Sequence, residues 1–291
     1  MERARVGGAL VIISALLGTV PSHAQTEVSA DLGLYSSYIW RGLTLTNKPV
    51  AQPAVYLSIP VGNASLTLGG WSTIDLGKYD DPANDISESG GTSAFNLAEF
   101  DPIVEVSFPV GKATLTGGGT AYIYPNDLDG ITNNGGLDSE FNTVELYGKA
   151  ALDAPLSPFV NLYYDVDKVK GAYIEGGVSH SFPASEKVSI DLGALAGFSA
   201  GQDADLDALG APQAEFYNFA ENGLTHVDLS AGTSFSAGAF SFSPVLHVII
   251  TSDELTKISS PSNIDKGAKL WGGVTISWSK ALGEAPAEAA E

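Results

Sequence analysis

The sequence predicts an all-β fold, a transmembrane antiparallel up-and-down barrel of about twelve strands, and three observations carry that reading. Stretches about ten residues long alternate apolar and polar side chains, the period of a strand with two unlike faces. The links between them alternate between tight prolyl or glycyl turns and long acidic loops. No segment beyond the first twenty-odd residues holds the run of about eighteen apolar residues that a helical span needs. Gly267–Trp278 shows the alternation best: Ala268, Leu270, Gly272, Val274, Ile276 and Trp278 fall on one face, Lys269, Trp271, Gly273, Thr275 and Ser277 on the other.

The chain opens on an address. Arg3 and Arg5 precede the apolar run Gly7–Val20, and Ser22-His23-Ala24 places small residues where a signal peptidase reads them. Residues 1–24 therefore read as a signal peptide, 25–278 as the barrel and 279–291 as an acidic C-terminal tail. The expected location is the outer membrane of a Gram-negative bacterium.

The elements follow in order. Val28–Arg41 is the first strand. Val50–Ile59 and Ala64–Leu76 flank the turn Pro60–Asn63, and Ala98–Phe108 and Ala113–Tyr124 flank Pro109–Lys112. Glu140–Leu152 and Pro158–Asp167 flank Ala154–Ser157, while Ala172–Phe182 and Lys187–Ala200 flank Pro183–Glu186. Leu224–Ser236 and Phe240–Thr251 flank Ala237–Ala239, and Gly267–Trp278 closes the set. Proline has no N–H for a ladder, so its place at strand ends is what the backbone requires. Gly42–Pro49, Gly77–Leu97, Pro125–Ser139, Lys168–Gly171, Gly201–Gly223 and Ser252–Lys266 lie at the opposite end and are mostly long. In barrels of this class the short turns face the periplasm and the long loops face outside.

Aromatic residues gather at strand ends, as at bilayer interfaces. Tyr38 and Trp40 are expected at the outer rim, and Phe108, Phe182, Phe240, Phe242 and Trp278 at the inner rim, all on the outward phase. A soluble β-sandwich would place the same rings in its core.

Ser29-Ala30-Asp31-Leu32-Gly33-Leu34-Tyr35-Ser36-Ser37-Tyr38-Ile39-Trp40-Arg41-Gly42, followed by Pro49-Val50-Ala51-Gln52, resembles the opening signature of the Gcw_chp-type family of exported proteobacterial proteins. Ser37 stands where that pattern has an acidic residue, and Pro53 where it has glycine. The resemblance implies an outer-membrane barrel and carries no catalytic residues with it. The closing strand resembles the terminal signal read by the barrel-assembly machinery, with Trp278 as its last aromatic.

Composition bounds the chemistry. The net charge is −20, with 34 acidic against 14 basic residues. Signal cleavage removes two arginines and one glutamate and makes the chain more acidic still. Such a chain repels nucleic acid and anionic surfaces, and divalent cations are its natural partners. With no cysteine, neither disulfides nor thiolate metal sites contribute.

If the apolar phase faces lipid, the other phase points Asp31, Glu105, Glu145, Asp165, Glu175, Asp191 and Asp228 into the lumen, against Arg41, Lys149 and Lys269. A water-filled lumen of this kind passes small solutes with a cation bias. A plugged lumen pairs the same charges across its interior. Arg41 is the one arginine that survives cleavage, and it reads best as a structural bridge to a lumen carboxylate.

The sequence holds no nucleophile-elbow motif, and the chain reads as a non-enzyme. The best hydrolytic candidates are His226, Asp228 and His247 with Ser199, since the turn Ala237–Ala239 would bring Asp228 opposite His247. No cofactor is expected beyond calcium or magnesium at acidic loops. Asp203, Asp205 and Asp207 are spaced as in a calcium loop, but Ala208 replaces its glycine and no Glu stands at the twelfth position. Asp80, Asp81, Asp85, Glu88, Asp127 and Asp129 add loop carboxylates that would bridge through such ions to lipopolysaccharide. Ordinary solvated loop charge is the other reading.

Overall fold

A computed structural model describes residues 25–81, 84–87, 94–125, 142–202, 219, 222–252 and 267–282. The strands are β1 (Thr26–Tyr35), β2 (Tyr38–Trp40), β3 (Leu43–Thr46), β4 (Val50–Val61), β5 (Ala64–Asp75), β6 (Asn96–Val110) and β7 (Ala113–Tyr122). There follow β8 (Thr143–Leu152), β9 (Phe159–Asp165), β10 (Ala172–Pro183), β11 (Val188–Ala200), β12 (Gly223–Ala237), β13 (Phe240–Thr251) and β14 (Ala268–Leu282). Twelve of them form a closed antiparallel barrel, and β2 and β3 form a separate two-stranded hairpin. Closure runs through β1, which pairs with β14 from Thr26↔Leu282 to Tyr35↔Gly273 and with β4 along its other edge. The last strand therefore reaches Leu282, past the expected boundary at Trp278, because residues 279–282 ladder onto the start of β1.

Three of the short turns have two residues. Gly62, Gly111 and Gly238 take φ of 61, 63 and 64 at the first central position, and the residue after each keeps negative φ. That is the type II′ geometry whose twist matches the flanking strands.

The alternation resolves into an apolar outside and a polar inside. Leu270 is 71% exposed, and Leu246, Val55 and Val104 stand out from the same surface all around the barrel. Water would not tolerate so extensive an apolar belt, whereas a bilayer requires it. On the opposite phase, Glu105, Glu145, Lys149, Glu175, Asp228 and His247 are buried. The short-turn half of this interior is lined by small hydroxyls paired across strands, such as Ser107 with Thr116 at 2.7 Å and Ser234 with Ser243 at 3.2 Å.

The first expected strand, Val28–Arg41, is not one strand. The chain leaves the wall after Tyr35, where Ser36 N–H donates to Gly272 O at 2.9 Å, and turns inward as the β2–β3 hairpin. Tyr38 and Trp40 therefore do not sit at an outer rim on the lipid side. Tyr38 is buried, its hydroxyl donates to Glu99 at 3.1 Å, and its ring packs on Trp71. Trp40 meets Tyr122 edge-on. Both rings gain more burial inside a wide polar barrel than an interfacial position would give them.

Candidate functional site

The site is the long-loop half of the lumen, and the hairpin is its centre. Trp40 pairs with Leu43, so Arg41 and Gly42 form the two-residue tip, with φ of 50 and 88. Positive φ at both central positions is the type I′ turn. Gly42 suits it: at φ 88 a side chain would be strained, and its Cβ would press on the Cβ of His226 at 3.0 Å. Arg41 adopts the left-handed region against its own preference.

Its surroundings explain why it stays. The Arg41 guanidinium donates to both oxygens of Glu145 on β8, at 2.8 and 2.7 Å. It also lies 4.3 Å from the Trp40 ring, 4.7 Å from Tyr163 and 4.3 Å from Tyr173. A fork on a carboxylate fixes the plane of the group, and the rings cover its faces. Tyr122 on β7 donates to the same Glu145 at 2.7 Å. From the other wall, Lys269 donates to Gly42 O at 2.7 Å and to the Thr44 hydroxyl at 3.2 Å.

The hairpin is also packed and strapped. Leu43 joins an apolar cluster with Tyr147, Tyr163, Tyr173 and Phe219, and Tyr38 joins a second with Tyr35, Val50, Ile249 and Trp271. At its stem, Thr46 donates to Asp75 at 3.1 Å, Asn47 exchanges hydrogen bonds with Ile86, and Lys48 pairs with Asp85 at 2.7 Å. What remains beneath the tip is a void of about 10 Å³, bounded by Arg41, Tyr173, Glu175, His226, Asp228 and Trp271. That is the scale of a single water.

The remaining inward charges are mostly engaged. Glu105 accepts from Tyr147 at 2.9 Å and pairs loosely with Lys149 at 3.5 Å. Glu175 accepts from Asn161 at 2.8 Å and Tyr163 at 3.2 Å. Asp191 accepts from Ser181, Ser189 and Ser234. Asp165 holds the brief loop after β9, taking backbone N–H bonds from Asp167 at 3.0 Å and Val169 at 2.9 Å. Asp31 stands in β1 opposite Ser277. Three inward carboxylates were not anticipated: Asp75, Glu99 and Asp101, each buried. Glu99 and Asp101 share the phase of Glu105, so the period of two already pointed to them.

His247 and Asp228 do meet, though not as direct partners. His247 lies opposite Ser230 and Asp228 opposite Ile249, and the contact is diagonal, with His247 Nδ1 3.0 and 3.1 Å from the carboxylate oxygens. The imidazole stacks on Trp271 at 4.3 Å and is fully buried. Neither His247 Nε2 nor Ser199 Oγ has a hydrogen-bond partner among the described residues, so no nucleophile is aligned on this dyad. His226 Nδ1 lies 3.0 Å from the Thr225 hydroxyl instead.

Asp203, Asp205 and Asp207 lie outside the described residues, as do Glu88, Asp127, Asp129, residues 1–24 and residues 283–291. Among the described residues no group of three or more His, Asp or Glu side chains is arranged to hold a metal ion. Of the loop acids that are described, Asp85 accepts backbone N–H bonds from Asp80 and Asp81 as well as the Lys48 ammonium. Lys48 and these amides hold its carboxyl below the usual aspartate range.

A closed barrel with an apolar belt and a polar, hairpin-filled interior belongs to the outer-membrane class of β-barrels. The fold is similar to that of an outer-membrane channel from Pseudomonas putida F1, at 7% identity over 90% of this chain and 97% of that one, with a TM-score of 0.51. Weaker likenesses include the CymD monoaromatic hydrocarbon channel (9% identity, 91% and 90% covered, TM-score 0.45) and LpxR from Salmonella typhimurium (8% identity, 87% and 99% covered, TM-score 0.45). At these identities the likeness is one of fold. No family model matches the chain, and no curated protein matches it.

Proposed function

We propose that this protein is an exported outer-membrane barrel that serves as a narrow, cation-biased pathway for small solutes, held closed by the β2–β3 hairpin in the conformation described. The observation that carries the reading is the charge of the inward face. Asp31, Asp75, Glu99, Asp101, Glu105, Glu145, Asp165, Glu175, Asp191 and Asp228 face Arg41, Lys149 and Lys269. Fixed negative charge in a low-dielectric wall concentrates cations and excludes anions. The apolar belt supports a place in lipid, and the resemblance to the Gcw_chp-type family supports export to the outer membrane. The long acidic loops are read as facing outside, where calcium or magnesium would link them to lipopolysaccharide. Reversal-potential measurement across a salt gradient tests the bias, and anion preference would overturn it.

The water-sized void beneath Arg41 favours a second reading, in which the barrel conducts nothing and its acidic loops act in envelope structure. The absence of any conductance, with or without the hairpin, would select it.

A further inference from the structure

We infer that the wall around Arg41 is a binding site for an alkylguanidinium solute, and that Arg41 occupies it as an internal mimic of that solute. The site's consequence for opening rests on the channel reading above; the site itself rests on the geometry of the wall.

The carboxylate and tyrosines of that wall come from β7, β8, β9 and β10, with Leu43 and Trp40 of the hairpin packed against them. Glu145 on β8 is oriented by the Tyr122 hydroxyl at 2.7 Å. Tyr163 on β9 is held by its own hydroxyl on Glu175 at 3.2 Å, and Tyr173 on β10 stacks on Phe219 at 6.1 Å and 13°. Tyr147, Tyr163 and Tyr173 stand as a row with ring centroids 5.9 and 6.1 Å apart. Together they offer one carboxylate in the plane of the guest and two aromatic faces beside it. That combination recognises a planar, delocalised cation with two parallel N–H donors. A primary ammonium would use only one oxygen of Glu145, and a quaternary ammonium neither.

The occupant is an anomaly as part of a turn. A type I′ tip favours Asn, Asp or Gly, yet Arg41 stands there at φ 50 and is the only arginine beyond residue 5. Backbone preference does not select it, and the fit of its side chain to the wall does. Such a plug is released by mass action when a free solute competes for the same wall, because the solute binds only the state with Arg41 displaced.

The test uses the full chain refolded into lipid vesicles, with methylguanidinium chloride as the probe. In Arg41→Ala the vacated wall should bind methylguanidinium, read as a raised melting midpoint and a change in tryptophan fluorescence through neighbouring Trp40. Urea, and potassium chloride at equal ionic strength, should produce neither. Adding Glu145→Gln should weaken the binding by about tenfold or more, the scale of losing a charge-assisted fork. No response in Arg41→Ala, or one matched by potassium or unchanged by Glu145→Gln, would overturn the site. Should Arg41→Ala not refold alone, refolding with methylguanidinium present supplies the same test: recovery supports the site, and failure of recovery alongside a foldable Arg41→Lys contradicts it. The channel reading is separated by conductance. Binding without current in any salt leaves the site and removes the channel, whereas cation current without binding does the reverse.

Discussion

Arg41 and Glu145 lie 104 positions apart in the chain and meet inside the barrel as a bidentate pair, at 2.8 and 2.7 Å. Their side chains are 5% and 3% exposed. One belongs to a hairpin that could have lain in solvent, the other to the wall, so the pair defines where the hairpin sits.

Removing Arg41 leaves Glu145 as a buried charge with the Tyr122 hydroxyl as its remaining donor. Arg41→Ala should cost about 3–5 kcal/mol, the scale of breaking a buried pair from one side. Arg41→Lys should cost less, since it keeps the charge and loses the fork. Urea unfolding of vesicle-refolded protein measures both, and equal stability of all three proteins would show that the pair contributes nothing.

The same burial predicts resistance to proteolysis. An arginine-specific protease should spare Arg41 in the folded protein and cut there once the protein is heat-denatured, since cleavage needs exposed, mobile backbone. Cutting of the folded barrel at Arg41 would place the hairpin outside the lumen.

The strands were largely legible in the sequence, because each ladder residue must choose lipid or lumen and the choice repeats every two positions. Leu270 and Trp271 are adjacent in the chain, yet one is 71% and the other 5% exposed. The hairpin was not legible. Val28 to Tyr35 alternates, but the pattern breaks at Ser36-Ser37 and again at Tyr38-Ile39-Trp40, so that break and the Arg41-Gly42 pair were the available signs that the chain leaves the wall. Whether such a hairpin folds in or out depends on Glu145, Tyr163 and Tyr173, which no local pattern reveals. The Asp228–His247 contact was anticipated as a neighbour relation, but its diagonal register follows from the pairing of β12 with β13.

Charge on the lipid face should be expensive. Leu146→Arg, in the outward belt of β8, should cost about 2–4 kcal/mol if it lies near the midplane, whereas Ser236→Arg at the exposed short-turn rim should be nearly neutral. Equal penalties on refolding would mean that Leu146 does not face lipid. Thr275→Arg should also be costly, because the Thr275 hydroxyl contacts Tyr35 in a filled interior and an arginine there would disrupt that packing.

The strap at the hairpin stem should loosen in acid. Asp85 has its carboxyl lowered by Lys48 and the Asp80 and Asp81 amides, so its contribution is present above the unfolded aspartate value of about 3.9 and is lost as pH falls through its lower folded value. Amide exchange at Ile86, which donates to Asn47 at 2.9 Å, should rise over that acidic window in wild type. In Asp85→Asn it should already be fast at neutral pH. A flat profile in wild type would show that Asp85 does not hold the hairpin stem.

If the hairpin closes an otherwise conducting, cation-favouring lumen, its removal should open the barrel, and single-channel recording before and after removal reads this. Residues 37–47 would be replaced by a short glycine-serine link, with folding checked by heat-modifiable migration. Wild type should be closed for most of the record, and the shortened protein should carry a steady current that reverses at a cation-selective potential. A wild type that conducts continuously at the level of the shortened protein, or a folded shortened protein that stays silent, would contradict it.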